Sequence, residues 1–255
     1  MEGLKIKRKF LSLVLFFMVL LIMTACNVSV IKRESQDNTS KVDKDNVSYN
    51  FVRDLSLDKY NDKSLIDKVL NTSISDDDNN KKDTARAIGF ISGTTIGADS
   101  PWICFVNDNY IGVLFLKGIL IYEKSTGKLS TVIDTWGLGF KYTQGDEAIL
   151  EDANNEYLII YKANENKGYI YSFKENALSK IDDITKANIN KLMYSEVDME
   201  RFKKIESIIG FSSAPIMYKD NYFLLKINYN NLKNSYVHVL DEKFNEVLKF
   251  RLGDK

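Results

Sequence analysis

Asn107-Asp108-Asn109-Tyr110-Ile111 begins an apolar run, and the pattern returns at Asn154-Asn155-Glu156-Tyr157-Leu158 and at Lys219-Asp220-Asn221-Tyr222-Phe223. In each, a polar turn delivers a Tyr that opens a strand. A second strand follows at 119–122, 169–173 and 236–240. A third begins seven residues after a matched position: Tyr122 to Leu129, Tyr171 to Leu178, Leu240 to Val247. Ser125-Thr126-Gly127-Lys128 has the chemistry of the turn between two such strands. Each unit therefore reads as a three-stranded antiparallel meander, or a four-stranded one with its neighbour's help. A unit of that size cannot bury its apolar face alone and must stack on its fellows.

The step from Tyr110 to Tyr157 is 47 residues, near the length of a β-propeller blade. The step from Tyr157 to Tyr222 is 65, and helical spacing accounts for the excess. Ile189, Leu192 and Met193 suit the inner face of a helix over 186–194 capped by Thr185. Met199, Phe202, Ile205 and Ile209 suit a second helix over 196–209, with a capping signal at Ser195–Asp198 and Gly210 as its stop. A third helix is expected over 62–70, where Leu65, Ile66, Val69 and Leu70 share a face. Strands are expected at 103–106, 110–116, 119–123, 129–133, 157–161, 169–173, 222–228, 236–240 and 246–250, with a further candidate at 87–92. A closed propeller needs at least four blades. The expected fold is therefore mainly β: antiparallel meander repeats in an incomplete, propeller-like stack, with a few covering helices.

Upstream the chain changes character. Lys5, Lys7, Arg8 and Lys9 precede an apolar run from Phe10 to Met23, and Thr24-Ala25-Cys26 ends it. A basic start, a short apolar core and small residues before a break make the secretory pattern. The run is short of the roughly 18 residues that span a bilayer comfortably. Met23-Thr24-Ala25-Cys26 resembles the lipobox of bacterial lipoproteins, with Met where Leu is usual. That resemblance implies cleavage before Cys26 and a diacylglyceryl group on its sulfur. Residues 1–25 are then a signal peptide, 26–48 a lipidated Cys and polar tether, and 49–255 a single β-rich extracytoplasmic domain. The expected location is the outer face of a Gram-positive-type cell membrane.

Composition narrows the partners. Removing Glu2 and the four basic residues of the signal from 35 acidic and 35 basic residues leaves 34 and 31, a net charge near −3. No basic stripe of the kind that holds nucleic acid results. With Cys26 lipidated, Cys104 is the remaining cysteine, so an internal disulfide is excluded and Cys104 reads as a small core hydrophobe. Asp76-Asp77-Asp78-Asn79-Asn80 has Lys81 and Ala87 where a calcium loop needs Gly and Glu, so it reads as a solvated loop. The one histidine, His238, excludes the common multi-His zinc sites and reads as a surface or half-buried strand residue facing away from Val237 and Val239. The stretch Ile91–Gly97 lacks the Lys-Ser/Thr of a phosphate loop. No metal and no cofactor are expected.

Gly118-Ile119-Leu120-Ile121-Tyr122, Gly127-Lys128 and Tyr142-Thr143-Gln144-Gly145-Asp146 resemble the extracytoplasmic β-rich tail of clostridial membrane regulators of the BlaR1/M56 type. The match covers residues 105–175, and Thr143–Asp146 is its distinctive part. The family's peptidase half has no counterpart here, since His-Glu-x-x-His is absent. The resemblance implies a stand-alone outward-facing module held by lipid instead of by helices, and it implies no proteolysis.

The candidate binding residues are Trp136, Tyr142, Gln144 and Asp146, with Trp102 as a further aromatic. Trp136 stands between Asp134-Thr135 and Gly137-Leu138-Gly139, in a loop joining two units, and loops on a rigid scaffold carry function. Aromatic rings with a polar edge suit glycan or peptide contact. Trp136 also reads, somewhat more readily, as a plug buried under the loop, and Thr143–Asp146 equally as a turn in which Asp146 ties its own backbone. Two functions compete: a membrane-anchored binding or sensing module whose partner is an envelope protein, peptide or glycan, and a carboxylate-dependent hydrolase drawing on Asp146, Glu147, Glu151 and Asp152. A purely structural envelope protein is the third reading.

Overall fold

The computed structural model describes residues 49–70, 101–140, 149–162, 165–184, 187, 189–195, 197–210 and 213–254. Val47–Lys255 is one compact unit. Cys26 and the 87–92 strand candidate lie outside the described residues.

The described strands form three four-stranded antiparallel meanders. Sheet 1 contains β1 (Trp102–Val106), β2 (Tyr110–Phe115), β3 (Gly118–Glu123) and β4 (Leu129–Ile133). Sheet 2 contains β5 (Ile149–Ala153), β6 (Tyr157–Lys162), β7 (Gly168–Ser172) and β8 (Ala177–Ile181). Sheet 3 contains β9 (Ile216–Tyr218), β10 (Asn221–Lys226), β11 (Tyr236–Asp241) and β12 (Glu246–Arg251). The fold is thus mainly β, and each unit carries one strand more than three. The additions β5 and β9 are the innermost strands of their sheets, and the sequence pattern did not mark them.

The sheets stack in the spatial order 3, 1, 2. Phe105, Leu114, Ile119, Ile121 and Ile133 of sheet 1 share a core with Leu158, Ile160, Tyr171 and Leu178 of sheet 2. From its other face, Ile111, Val113, Leu120, Tyr122 and Val132 share a core with Phe223, Leu225, Val237, Val239 and Phe250 of sheet 3. The middle position explains the letters of β2 and β3, whose side chains are buried almost without interruption. No hydrophobic cluster among the described residues joins sheets 2 and 3. Each outer face is covered by other parts of the chain. Ile159, Ile170 and Ile181 of sheet 2 lie under Tyr49, Phe51, Ile184, Ala187 and Ile189. Tyr222, Leu224 and Leu240 of sheet 3 lie under Val197 and two residues of helix α2 (Met199–Ile209), Ile205 and Ile209. A stack of repeats needs such covers on its end faces, which would otherwise stay wet and apolar.

Local chemistry sets the hairpins. The Asn107 side-chain oxygen accepts from the N–H groups of Asn109 and Tyr110 at 2.9 and 2.7 Å, and Asn154 repeats this with Glu156 and Tyr157 at 2.8 and 2.7 Å. The third unit is built differently. Tyr218 faces Asn221 across a two-residue turn, and Lys219 takes the left-handed φ of 53°. Structural equivalence therefore runs Tyr110, Tyr157, Asn221. Tyr222, the residue matched by letter, points to the opposite face. A one-residue slip inverts a strand's faces, and here it corrects the sequence alignment of the third repeat. At the β3–β4 turn Gly127 has φ 69°, and a Cβ there would stand 2.6 Å from the Phe250 ring, so only glycine fits.

The helices are few. Helix α1 (Ile66–Leu70), preceded by a 3-10 turn at Lys63–Leu65, buries Ile66, Val69 and Leu70 as its spacing predicts. Helix α2 is capped by Asp198, which accepts from the Arg201 N–H at 2.8 Å. It buries Ile205 and Ile209 and stops at Gly210, whereas Met199 is exposed instead of inward. The helix expected over 186–194 does not form: 189–194 carry no regular element, and Met193 is 87% exposed. The segment instead runs along the inner strand ends. Leu192 N–H bonds the Ala153 carbonyl at 2.8 Å, and Ser195 bridges to Met217. The Tyr194 hydroxyl accepts from Val106 N–H at 2.9 Å and donates to its carbonyl at 3.1 Å. Inner strand edges must have their hydrogen bonds met, and that need overrides an apolar periodicity. No helix of the described residues is long and apolar enough to cross a membrane.

Candidate functional site

The connector from sheet 1 toward sheet 2 starts as a pinned structure. Asp134 is buried, its Oδ1 accepts from Gly137 N–H at 3.0 Å, and its Oδ2 pairs with the Lys68 ammonium. Asp134 N–H bonds the Tyr60 carbonyl at 2.8 Å, and Phe140 N–H bonds the Thr135 carbonyl at 2.8 Å. Gly137 is held tightly, since a Cβ there would lie 2.4 Å from Asp134 Oδ2 and 2.5 Å from the Tyr60 ring. Residues 134–140 are therefore not the hinge that their glycines suggest.

Trp136 is half-buried and packs against the core between sheets 1 and 3, with the Lys117 ammonium 5.1 Å from its ring centroid. Leu138 and Phe140 turn to the other core, where Phe140 meets Tyr169 edge-on at 5.5 Å and the Tyr169 hydroxyl donates to the Leu138 carbonyl at 3.2 Å. Trp102 packs against that same second core, so the two tryptophans are not brought together. Tyr142, Gln144 and Asp146 lie outside the described residues.

A second constellation emerges where the inner turns of the three sheets converge. Asp108, Asn155 and Lys219 occupy equivalent turn positions. Asp108 N–H bonds Asn155 Oδ1 at 3.0 Å, Asn155 Nδ2 donates to Asp108 Oδ2 at 3.0 Å, and Lys219 Nζ donates to Asp108 Oδ1 at 2.5 Å. The Tyr218 hydroxyl donates to the same Oδ1 at 2.8 Å. The Lys219 hydrogen bond, then that of Tyr218, holds the Asp108 carboxyl below its usual range. Lys124 lies 5.1 Å over the Tyr218 ring, and burial lowers its ammonium pKa. Burial first, and Asp108 after it, pushes the Tyr218 hydroxyl up to about 12. The arrangement satisfies itself, with one carboxylate shared by three donors around the axis. It locks turn to turn and offers no reacting group. Asp108 and Asn155 were available as repeat equivalents in the sequence, but Lys219 needed the correct register.

Among the described residues, shallow clefts flank the stack. One, of about 460 Å³, opens on the outer side of sheet 2 beside Tyr157, and one of about 520 Å³ opens beside Tyr222 and the α2 N-terminus. The second brings together Asp198, Glu200, Asp220 and Glu242. Asp198 there caps the helix and pairs with Arg201 at 3.5 Å, and Lys204 covers the Phe244 ring at 4.3 Å. Among the described residues no group of three or more His, Cys, Asp or Glu is placed to hold a metal ion.

His238 is more buried than its strand position suggests, at 4% exposure, with Nδ1 2.6 Å from Glu246 Oε2 and Nε2 buried without a hydrogen-bond partner. Burial pushes its pKa below the ordinary 6.5. Glu246 pulls the other way, and Lys249 and Lys226 add to the lowering. The unfolded chain then binds the proton before the folded one does. Stability is accordingly full above about pH 6.5 and lost as pH falls from there through the folded value. Melting temperature is expected to decline between about pH 7 and about pH 5 less steeply in His238→Gln than in wild type. Parallel slopes for the two proteins would remove His238 as the cause.

Half-buried Cys104 packs against the core between sheets 1 and 2. No protein-family model matches the chain, and no curated protein matches it. Among solved structures, Kluyveromyces lactis Hsv2 with a complete loop 6CD aligns at 8% identity and a TM-score of 0.21, over 60% of this chain and 37% of its own. Hsv2 of Kluyvelomyces marxianus aligns at 9% and 0.20, over 56% and 46%. The chain thus spans less than half the length of either structure, and likenesses at that level assign neither family nor function.

Proposed function

We propose that the chain is a membrane-anchored lipoprotein whose β stack acts as a binding or sensing module at the outer face of the cell membrane. One observation carries the reading: the basic residues Lys5–Lys9, the short apolar run and Met23-Thr24-Ala25-Cys26 follow one another in the order that export and lipidation require. Two acyl chains hold a protein at a bilayer stably, where one gives marginal binding. The similarity of residues 105–175 to the outward-facing tail of membrane regulators supports the sensing half of the reading. The proposed contact region is the connector with Trp136, Tyr142, Gln144 and Asp146, and the proposed partner is an envelope protein, peptide or glycan. A pinned first half suits such a role, because preorganised contacts lose less entropy on binding.

Metabolic labelling with a palmitate analogue tests the anchor. Wild type is expected to label and to sediment with membranes, and Cys26→Ala to do neither or to retain its signal. Equal labelling of both sinks the anchor. Capture from membrane extracts by the lipidated protein tests the module: Gln144→Ala is expected to lose the partner while melting nearly as wild type, and Trp136→Ala to lose it with a lowered melting temperature, because its ring also packs on the core.

A further inference from the structure

The repeats show what covers a given place on each sheet, and at one place the cover is a stand-in. Tyr110 of sheet 1 faces sheet 2 and is stacked by Phe173, with centroids 5.0 Å apart and planes 13° from parallel. Phe173 immediately follows β7 and is held by its own N–H, which bonds the Glu156 carbonyl at 3.0 Å. Tyr157 is the equivalent of Tyr110 in sheet 2, and among the described residues no further sheet covers it. Phe51 and Tyr49 fill in. Phe51 stacks more loosely, at 6.3 Å and 25°, and Tyr49 meets the ring edge-on at 6.0 Å. The Tyr157 hydroxyl reaches the Tyr49 carbonyl at only 3.4 Å. Beside this pair lies the cleft of about 460 Å³, with Phe51 and Tyr157 on its apolar side and Arg53, Glu156, Lys174 and Glu175 at its charged rim.

We infer that this cleft is a docking site for a partner peptide that presents an aromatic ring followed by charges of both signs, and that Phe51 occupies the ring's place until the partner displaces it. The occupant is read from the molecule itself. At the equivalent place on sheet 1 the ring comes from Phe173, which Lys174 and Glu175 follow. The rim carries both signs, Arg53 and Lys174 beside Glu156 and Glu175, as a segment with charges of both signs requires. Arg53 is engaged by Asp58 at 2.7 Å, whereas Lys174 makes only a 3.8 Å pair with Glu175 and is 90% exposed. A stacked aromatic pair contributes beyond its buried area and favours offset or edge contacts. Exchanging a loose stack for a closer one gives the partner its advantage over Phe51. The inference adds to the binding reading a second surface, distinct from the connector, with its own partner class, and it does not depend on lipidation.

The probe is a blocked, fluorescein-labelled hexapeptide copying residues 171–176, Tyr-Ser-Phe-Lys-Glu-Asn, added to the full-length chain in detergent and followed by anisotropy. Wild type is expected to bind it saturably and weakly, with Kd on the order of 0.1–1 mM. Phe51→Ala is expected to tighten binding about tenfold, because the competitor is gone. Tyr157→Leu, which keeps an apolar cover over the sheet, is expected to abolish it. A peptide with Ala in place of its Phe is expected not to bind. The proposal is overturned by a wild type that does not saturate, by Phe51→Ala binding no better than wild type, or by Ala-peptide binding equal to that of the parent. Failure here with Cys26 labelling intact removes this cleft and leaves the anchored-module reading standing.

Discussion

Tyr122→Ala is expected to be among the most damaging single changes in the molecule, costing about 4 kcal/mol. Tyr122 is fully buried in β3, its ring centroid lies 4.9 Å from that of Phe250, and its hydroxyl donates to the Leu252 carbonyl at 2.7 Å. One side chain thus joins the middle sheet to the outer strand of sheet 3 and to the chain that follows it. Burial drives its hydroxyl pKa well above the ordinary 10, so it stays a neutral donor. Removing the ring leaves a cavity between two sheets whose backbones are hydrogen-bonded and cannot collapse freely. Tyr122→Phe separates the two contributions. It keeps the ring, leaves the Leu252 carbonyl unsatisfied, and is expected to cost about 1–2 kcal/mol. At roughly 2–4 °C per kcal/mol for a domain of this size, the losses in melting temperature are about 8–16 °C and about 2–8 °C. Thermal melts followed by circular dichroism measure both. A Tyr122→Ala protein melting with wild type would mean that sheets 1 and 3 are not packed as described.

Asp134→Ala should cost about 2–3 kcal/mol, a loss of roughly 4–12 °C in melting temperature. The buried carboxylate satisfies Gly137 N–H and the Lys68 ammonium together. Its removal strands the N–H, while half-exposed Lys68 can turn to water. Asp134→Asn keeps an acceptor for Gly137 and loses the charge, so it should lie between the two. Tryptophan fluorescence gives a second readout, because Trp136 stands two residues on and depends on the same turn. If Asp134→Ala leaves both melting and fluorescence unchanged, residues 134–140 are not pinned and the connector is mobile after all.

The candidate site was half legible. The sequence marks an aromatic among glycines between two repeat units, and Trp136 is in that place. It does not mark that Asp134 is buried, because burial of a carboxylate depends on Lys68 and Tyr60, which come from the chain far upstream. The same limit hid the axial network. Asp108 and Asn155 follow matching turn asparagines, but their bonding partner Lys219 is displaced by one residue from the letter-by-letter match. The third repeat was read as Tyr222 for Tyr110 because the residue types agree. The tight Tyr218–Asn221 hairpin moves that tyrosine to the other face, under α2.

Local chemistry determined the strands themselves. Short apolar runs between polar turns, Asn-capped turns and a positive-φ glycine are short-range effects, so the sequence alone specified most strands of the antiparallel meanders, the α1 face and the stop of α2 at Gly210. Tertiary structure decided the rest. The stacking order 3, 1, 2 depends on which apolar face fits which, and several faces here are alike in composition. The expected helix at 186–194 lost to the hydrogen bonds of inner strand edges, since Tyr194 finds both polar groups of Val106 only after the sheets have assembled. The cover on sheet 2 has the same origin. Whether sheet 2 meets sheet 3 or is covered by Tyr49 and Phe51 is set by distances between residues more than a hundred positions apart, and no local pattern encodes them.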